Sequence, residues 1–157
     1  MKLNEYYIKA AAFKVNRGMK NFVLSKDKFE TPSKEYYKIK FEYHEMEIWF
    51  DFMVDKVEDL KIETLIEQMT KKVDRLDHLM KTPVNSTHTS FIGAMLTHKY
   101  SGEKRLNEIM KETEEYVESL KGEYNFRDLY IKSIEEITQR FKIKEEKDNY
   151  DRRSNIS

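Results

Sequence analysis

The chain has no cysteine, two prolines, four glycines and one tryptophan in 157 residues. Without cysteine there is no disulfide framework, no thiolate nucleophile and no zinc site built on sulfur. That usage fits a cytoplasmic protein. The glycines, at 18, 93, 102 and 122, stand far apart. A dinucleotide fingerprint or a phosphate-binding loop needs neighbouring glycines, so that backbone N–H groups can reach the phosphates. Nucleotide-dependent chemistry is therefore not expected. Long apolar runs are missing too. The longest uncharged one, SFIGAML at 90–96, is far short of the roughly 20 residues that cross a bilayer. The N-terminal MKLNEYYIKAAAF lacks the apolar run and cleavage site of a signal peptide. No membrane is expected among the partners.

What is present is charge and aromatic bulk. Charged residues make up 37% of the chain, and 29 Lys and Arg balance 29 Asp and Glu. A uniformly basic nucleic-acid binder and an acidic disordered chain are both disfavoured by that balance. Ten Tyr and nine Phe provide ample core material, and the length suffices to bury a core. Lysine exceeds arginine by 22 to 7. With abundant Glu, Tyr, Phe and Ile, this suggests A/T-rich coding, as in a low-GC bacterium or one of its phages.

The clearest local pattern is YKIKFEYHEMEIWFDFM, residues 37–53. Tyr37, Ile39, Phe41 and Tyr43 alternate in its first half, and Met46, Ile48, Phe50 and Phe52 in its second. A turn at His44-Glu45 places all eight on one face of an antiparallel hairpin. His-Glu is a poor two-residue turn, so a slightly longer loop is expected. Upstream, Asn4 and Gly18 bracket a helix over 4–17, and MKNFVL at 19–24 reads as a short strand. SKDKFETPSK reads as a polar connection, because Pro32 forbids a central strand. Downstream, residues 59–81 carry the strongest helical stripe, and Thr82-Pro83 ends it. Further helices are expected over 89–99, 102–121 and 126–143, the last two capped by Ser101 and Asn125. Gly93 and Ala94 would let another element approach closely. The expected architecture is α+β: a small antiparallel sheet of about three strands, with a central hairpin over 37–53, packed against four or five helices. Residues 1–143 are expected to form a single domain, and 144–157 a disordered or partner-ordered tail.

Chemistry-bearing clusters are thin. The histidines are His44, His78, His88 and His98. Asp74 and His78 lie one helical turn apart, but two ligands do not make a metal site. The His88-Thr89-Ser90 triplet has no second copy, and the Glu114-Glu115 and Glu135-Glu136 pairs read as solvated helix faces. No catalytic residue, metal or cofactor is assigned, and the chain reads as non-enzymatic.

The balanced net charge conceals blocks. Residues 1–40 hold ten cations against four acids, and residues 41–70 hold two against nine. Two binding functions follow. In the first, a protein partner docks on the polar face of the hairpin. There Trp49 and Met53 would be exposed anchors within a rim of Glu42, Glu47 and Asp51; the alternative is that a helix covers this face too and Trp49 is core, as lone tryptophans usually are. The acidic block would steer a basic partner or imitate the charge of nucleic acid. In the second, the basic N-terminal segment binds nucleic acid, with Lys9, Lys14, Arg17 and Lys20 on phosphates and Tyr6 and Tyr7 among them. The first is preferred: a small cytoplasmic regulator or inhibitor of phage or mobile-element origin. Its target would be a host protein such as a nucleic-acid-handling enzyme. Homo-oligomerisation is compatible with either.

Overall fold

The computed structural model describes the backbone of residues 3–156 and the side chains of residues 3–142. The fold is α+β, with one three-stranded antiparallel sheet and five helices. The chain groups into two compact units, Met1–Thr82 and Pro83–Ser157. No helix among the described residues is long and apolar enough to cross a membrane.

The first unit begins with α1 (Glu5–Val15). Asn4 caps it by accepting the Tyr7 N–H at 2.9 Å, and Asn16, left-handed at φ 51°, ends it. The chain thus leaves the helix two residues before Gly18, the residue expected to stop it. β1 (Lys20–Glu30), β2 (Lys34–Tyr43) and β3 (Met46–Asp55) follow, in the spatial order β1-β2-β3. β1 is longer than the expected strand and runs through most of the stretch read as a connection. Only Thr31–Ser33 turn, closed by the Thr31 N–H on the Lys34 carbonyl at 2.9 Å, and Pro32 sits in that turn. The reason is that β1 is an edge strand. It is almost wholly exposed, so it needs no apolar alternation, and its lysines and bulges suit a free edge.

The hairpin register is the one the alternation requires. Tyr43 faces Met46, Phe41 faces Ile48, Ile39 faces Phe50 and Tyr37 faces Phe52. The longer loop is not needed: His44 and Glu45 alone turn the chain, at φ 48° and 68°. Such left-handed pairs match strand twist. Ten consecutive cross-strand pairs compensate for residues that adopt this geometry reluctantly. All eight alternating residues are buried.

α2 (Ile62–Lys81) buries Leu65, Met69, Val73, Leu76 and Leu79. A polar lock joins it to β2 and to the segment between α1 and β1. Arg17 donates to Asp74 Oδ1 at 3.0 Å and to Asp77 Oδ2 at 2.6 Å, and Tyr43 Oη donates to Asp77 Oδ1 at 2.5 Å. Burial first, and then the Asp77 carboxylate, push the Tyr43 phenol up to about 12. Burial alone would raise the Asp77 carboxyl, but the hydrogen bonds from Tyr43 and Arg17 outweigh it and hold it below the usual carboxylate range.

The second unit contains α3 (Ser86–Lys99), α4 (Leu106–Leu120) and α5 (Phe126–Ile156). α3 starts inside the expected loop because Asn85 and His88 form a reciprocal cap. The Thr87 N–H donates to Asn85 Oδ1 at 2.8 Å, and the Asn85 N–H donates to His88 Nδ1 at 3.1 Å. Gly93 does bring α3 and α4 close: a Cβ there would lie 2.9 Å from Met110 Cε. Ala94, expected to share that contact, is exposed. α4 begins four residues later than expected, without Ser101 as its cap. Gly102 is left-handed at φ 84°, which no helix interior accommodates. Asn125 caps α5 as anticipated, accepting the Asp128 N–H at 2.8 Å. α5 continues to Ile156, past the helix end expected at 143, so the described backbone of 144–156 is helical, while the side chains of that stretch lie outside the described residues.

Candidate functional site

The sheet's core face is filled by the alternating apolar residues, so any site on the sheet must use its outer face. The register arranges that face in rows across the strands: Lys20–Glu42–Glu47, Val23–Lys40–Trp49, Ser25–Lys38–Asp51, and then Tyr36 opposite Met53. Phe29 of β1 joins the last row, its ring 5.3 Å from that of Tyr36.

Trp49 does not stand where an exposed anchor must. It is only 7% exposed, and its row neighbour Lys40 is half-buried, as are Lys38 and Glu42. This part of the outer face is not the open, wet surface that the pattern suggests. The cause is general: alternation decides which face a side chain takes, not what lies over that face. Met53, by contrast, is 47% exposed. Glu47 and Asp51 are also exposed, and Glu47 meets Lys40 Nζ at 3.8 Å. Glu42 is engaged, accepting from Asn21 Nδ2 at 2.6 Å and meeting Lys20 Nζ at 3.9 Å.

Met53 has companions that the sequence reading missed. Phe29 is 62% exposed and Tyr36 is half-buried. An apolar row, Phe29–Tyr36–Met53, therefore crosses all three strands at the end away from the His44–Glu45 turn. The signal for Tyr36 was in the sequence: it precedes Tyr37, so period two places it on the face of Trp49 and Met53. Phe29 was hidden because its segment read as a connection.

Ion pairs set the strands beside this row. Glu30 meets Lys56 Nζ at 3.0 Å and Lys26 Nζ at 3.7 Å, and Lys26 also meets Glu35 at 3.7 Å. The hydrogen bond from Lys56 holds the Glu30 carboxyl below its usual range, with Lys26 adding to it. Tyr37, on the core face, donates to Glu35 at 2.7 Å. Burial and then Glu35 push its phenol up to about 12.

The four basic residues of the N-terminal segment are only partly brought together. Lys9 and Lys20 border one open groove between α1 and β1. Arg17 instead binds Asp74 and Asp77, and Lys14 is exposed outside the groove lining. The tyrosines separate as well. Tyr6 is exposed, whereas Tyr7 is buried and donates to the Leu60 carbonyl at 3.2 Å.

Asp74 accepts from Arg17, and among the described residues no three His, Asp or Glu side chains gather as metal ligands. The second unit has a pocket of about 230 Å³ beside Tyr100, Arg105, Thr138 and Phe141. Its polar groups face one another. Lys99 Nζ and Tyr100 Oη both donate to Thr138 Oγ1 at 3.0 Å, and the Arg105 guanidinium lies 5.3 Å from the Phe141 ring centre. Comparison with protein-family models, curated proteins and solved structures finds no match.

Proposed function

We propose that this chain is a small non-enzymatic regulator or inhibitor that binds a protein partner through the outer face of its sheet. The observation that carries the reading is the row Phe29–Tyr36–Met53. Large apolar side chains on neighbouring strands, open to solvent and bordered by paired charges, have the anatomy of an interface centre with a polar rim. Strands hold the row, so little order has to be created on binding. Exposed Glu47 and Asp51 favour a partner with a basic rim. The anchor is thus Met53 with its aromatic neighbours, and Trp49 belongs to the interior. A phage or mobile-element protein of the cytoplasm that antagonises a host nucleic-acid-handling enzyme fits this surface and the A/T-rich coding.

Affinity capture from a low-GC bacterial lysate tests the reading. Met53→Asp should abolish capture of a specific protein while the far-ultraviolet dichroism and melting temperature stay unchanged. Trp49→Ala should lower the melting temperature instead. Capture that survives both Met53→Asp and Phe29→Asp would sink the proposal.

A further inference from the structure

The groove between α1 and β1 is built from residues that the sheet row does not use. Its origin is local. The left-handed Asn16 and Gly18 turn the chain sharply from helix to strand, so the two elements diverge and leave about 550 Å³ of open space. Phe13 forms one wall and is 85% exposed. Met19 and Phe22 line the groove as well. Phe22 is tied to the core by stacking on Phe41, with ring centres 5.9 Å apart. An exposed aromatic thus lines the groove together with one packed on the core.

The charge around this apolar slot has one sign. Lys9 and Lys20 line it, with the amides of Asn16 and Asn21, and among the described residues no Asp or Glu does. Glu42 stands behind the lining, accepting from Asn21 Nδ2 at 2.6 Å and meeting Lys20 at 3.9 Å, and at the second separation the exposed ion pair is weak and screened. From this apolar slot with two ammonium groups we infer that the groove docks an acidic peptide segment of a partner protein. One bulky apolar side chain would enter between Phe13 and Phe22, and flanking carboxylates would meet Lys9 and Lys20. The Asn16 amide lies on the groove lining beside them, while that of Asn21 is held by Glu42 at 2.6 Å. A nucleic-acid strand fits less well. Its affinity comes from a track of several phosphate contacts and successive stacked bases. The groove provides two lysines and a single exposed ring, and Arg17, which would extend the track, is held by Asp74 and Asp77.

The test is a titration of the whole ¹⁵N-labelled chain with the acetylated peptide Asp-Asp-Phe-Glu-Glu, followed by amide shifts at low salt. Saturable shifts confined to residues around Lys9, Phe13, Met19 and Phe22 are expected. Phe13→Ala and the Lys9→Glu/Lys20→Glu pair should each weaken binding at least tenfold. Both variants alter exposed side chains, so their spectra should otherwise match the parent. Equal binding of Lys-Lys-Phe-Lys-Lys would overturn the inference. So would the absence of groove shifts at millimolar acidic peptide, or steeply salt-dependent binding of oligothymidine without peptide binding. The last outcome would assign the groove to nucleic acid. Met53→Asp should leave this titration unchanged, so the groove and the sheet row succeed or fail separately.

Discussion

α1 and α2 lie in the same unit and treat their apolar residues in opposite ways. α2 buries Leu65, Met69, Val73, Leu76 and Leu79 on one stripe and turns charge outward. α1 buries Tyr7, Ile8 and Ala11, yet leaves Tyr6 83% and Phe13 85% exposed. α2 is a packing element in full. α1 packs with one side and offers aromatics to solvent with the other. An isolated exposed apolar residue needs no explanation. Two aromatics at a seven-residue spacing stand on one side of this short helix, and one of them walls the lysine-lined groove proposed above as a docking site.

The largest expected effect separates the helices by stability. Leu76→Ala should cost about 2–5 kcal/mol, because it opens a cavity in a fully buried stripe. Phe13→Ala should stay within about 0.5 kcal/mol, as surface changes do. Denaturant unfolding of the two variants is the check, and a Phe13→Ala cost as large as that of Leu76→Ala would break the comparison.

A smaller effect concerns the polar lock on α2. Tyr43→Phe removes the hydrogen bond to Asp77 and should cost about 1.5 kcal/mol, near the lower end for bonds to charged groups. The same lock makes stability depend on pH at both extremes. Tyr43 has a folded pKa of about 12 against an ordinary 10.0. Its contribution is complete below pH 10.0 and is lost as pH rises through about 12. Asp77 is shifted the other way, downward from 3.8, so its contribution is present above that value and is lost as the solution becomes more acidic. Melting temperatures across the alkaline range should fall less steeply for Tyr43→Phe. Part of the slope should remain, because Tyr37 is raised to about 12 as well. If the alkaline slope is unchanged, the phenol of Tyr43 is not part of the lock.

Much of the fold was legible in the residues. The pairing of Tyr43 with Met46 through Tyr37 with Phe52 follows from period two. The caps Asn4 and Asn125 and the close approach at Gly93 follow from residue chemistry. The length of β1 was not legible. An exposed edge strand carries no alternation, so only its first part, within MKNFVL, reads as strand and its remainder, SKDKFE, reads as polar linker. The start of α4 was also hidden, since Ser101 has the chemistry of a cap and only the left-handed Gly102 excludes it. Of the candidate site, Met53 stands on an open surface and Trp49 does not, although identical reasoning placed them on one face.

The sequence by itself determined the hairpin register, the core stripe of α2, and the absence of cysteine and glycine-loop chemistry. These are local properties: backbone periodicity and residue type settle them without knowledge of any distant neighbour. Tertiary structure alone decided that Trp49 is enclosed while Phe29 and Met53 stay open and Tyr36 is half-buried between them. It also decided that Arg17 is consumed by two aspartates 57 and 60 residues away, and that Lys9 and Lys20 meet across a groove. Burial and pairing depend on what the rest of the chain brings to a side chain, and no local pattern encodes that.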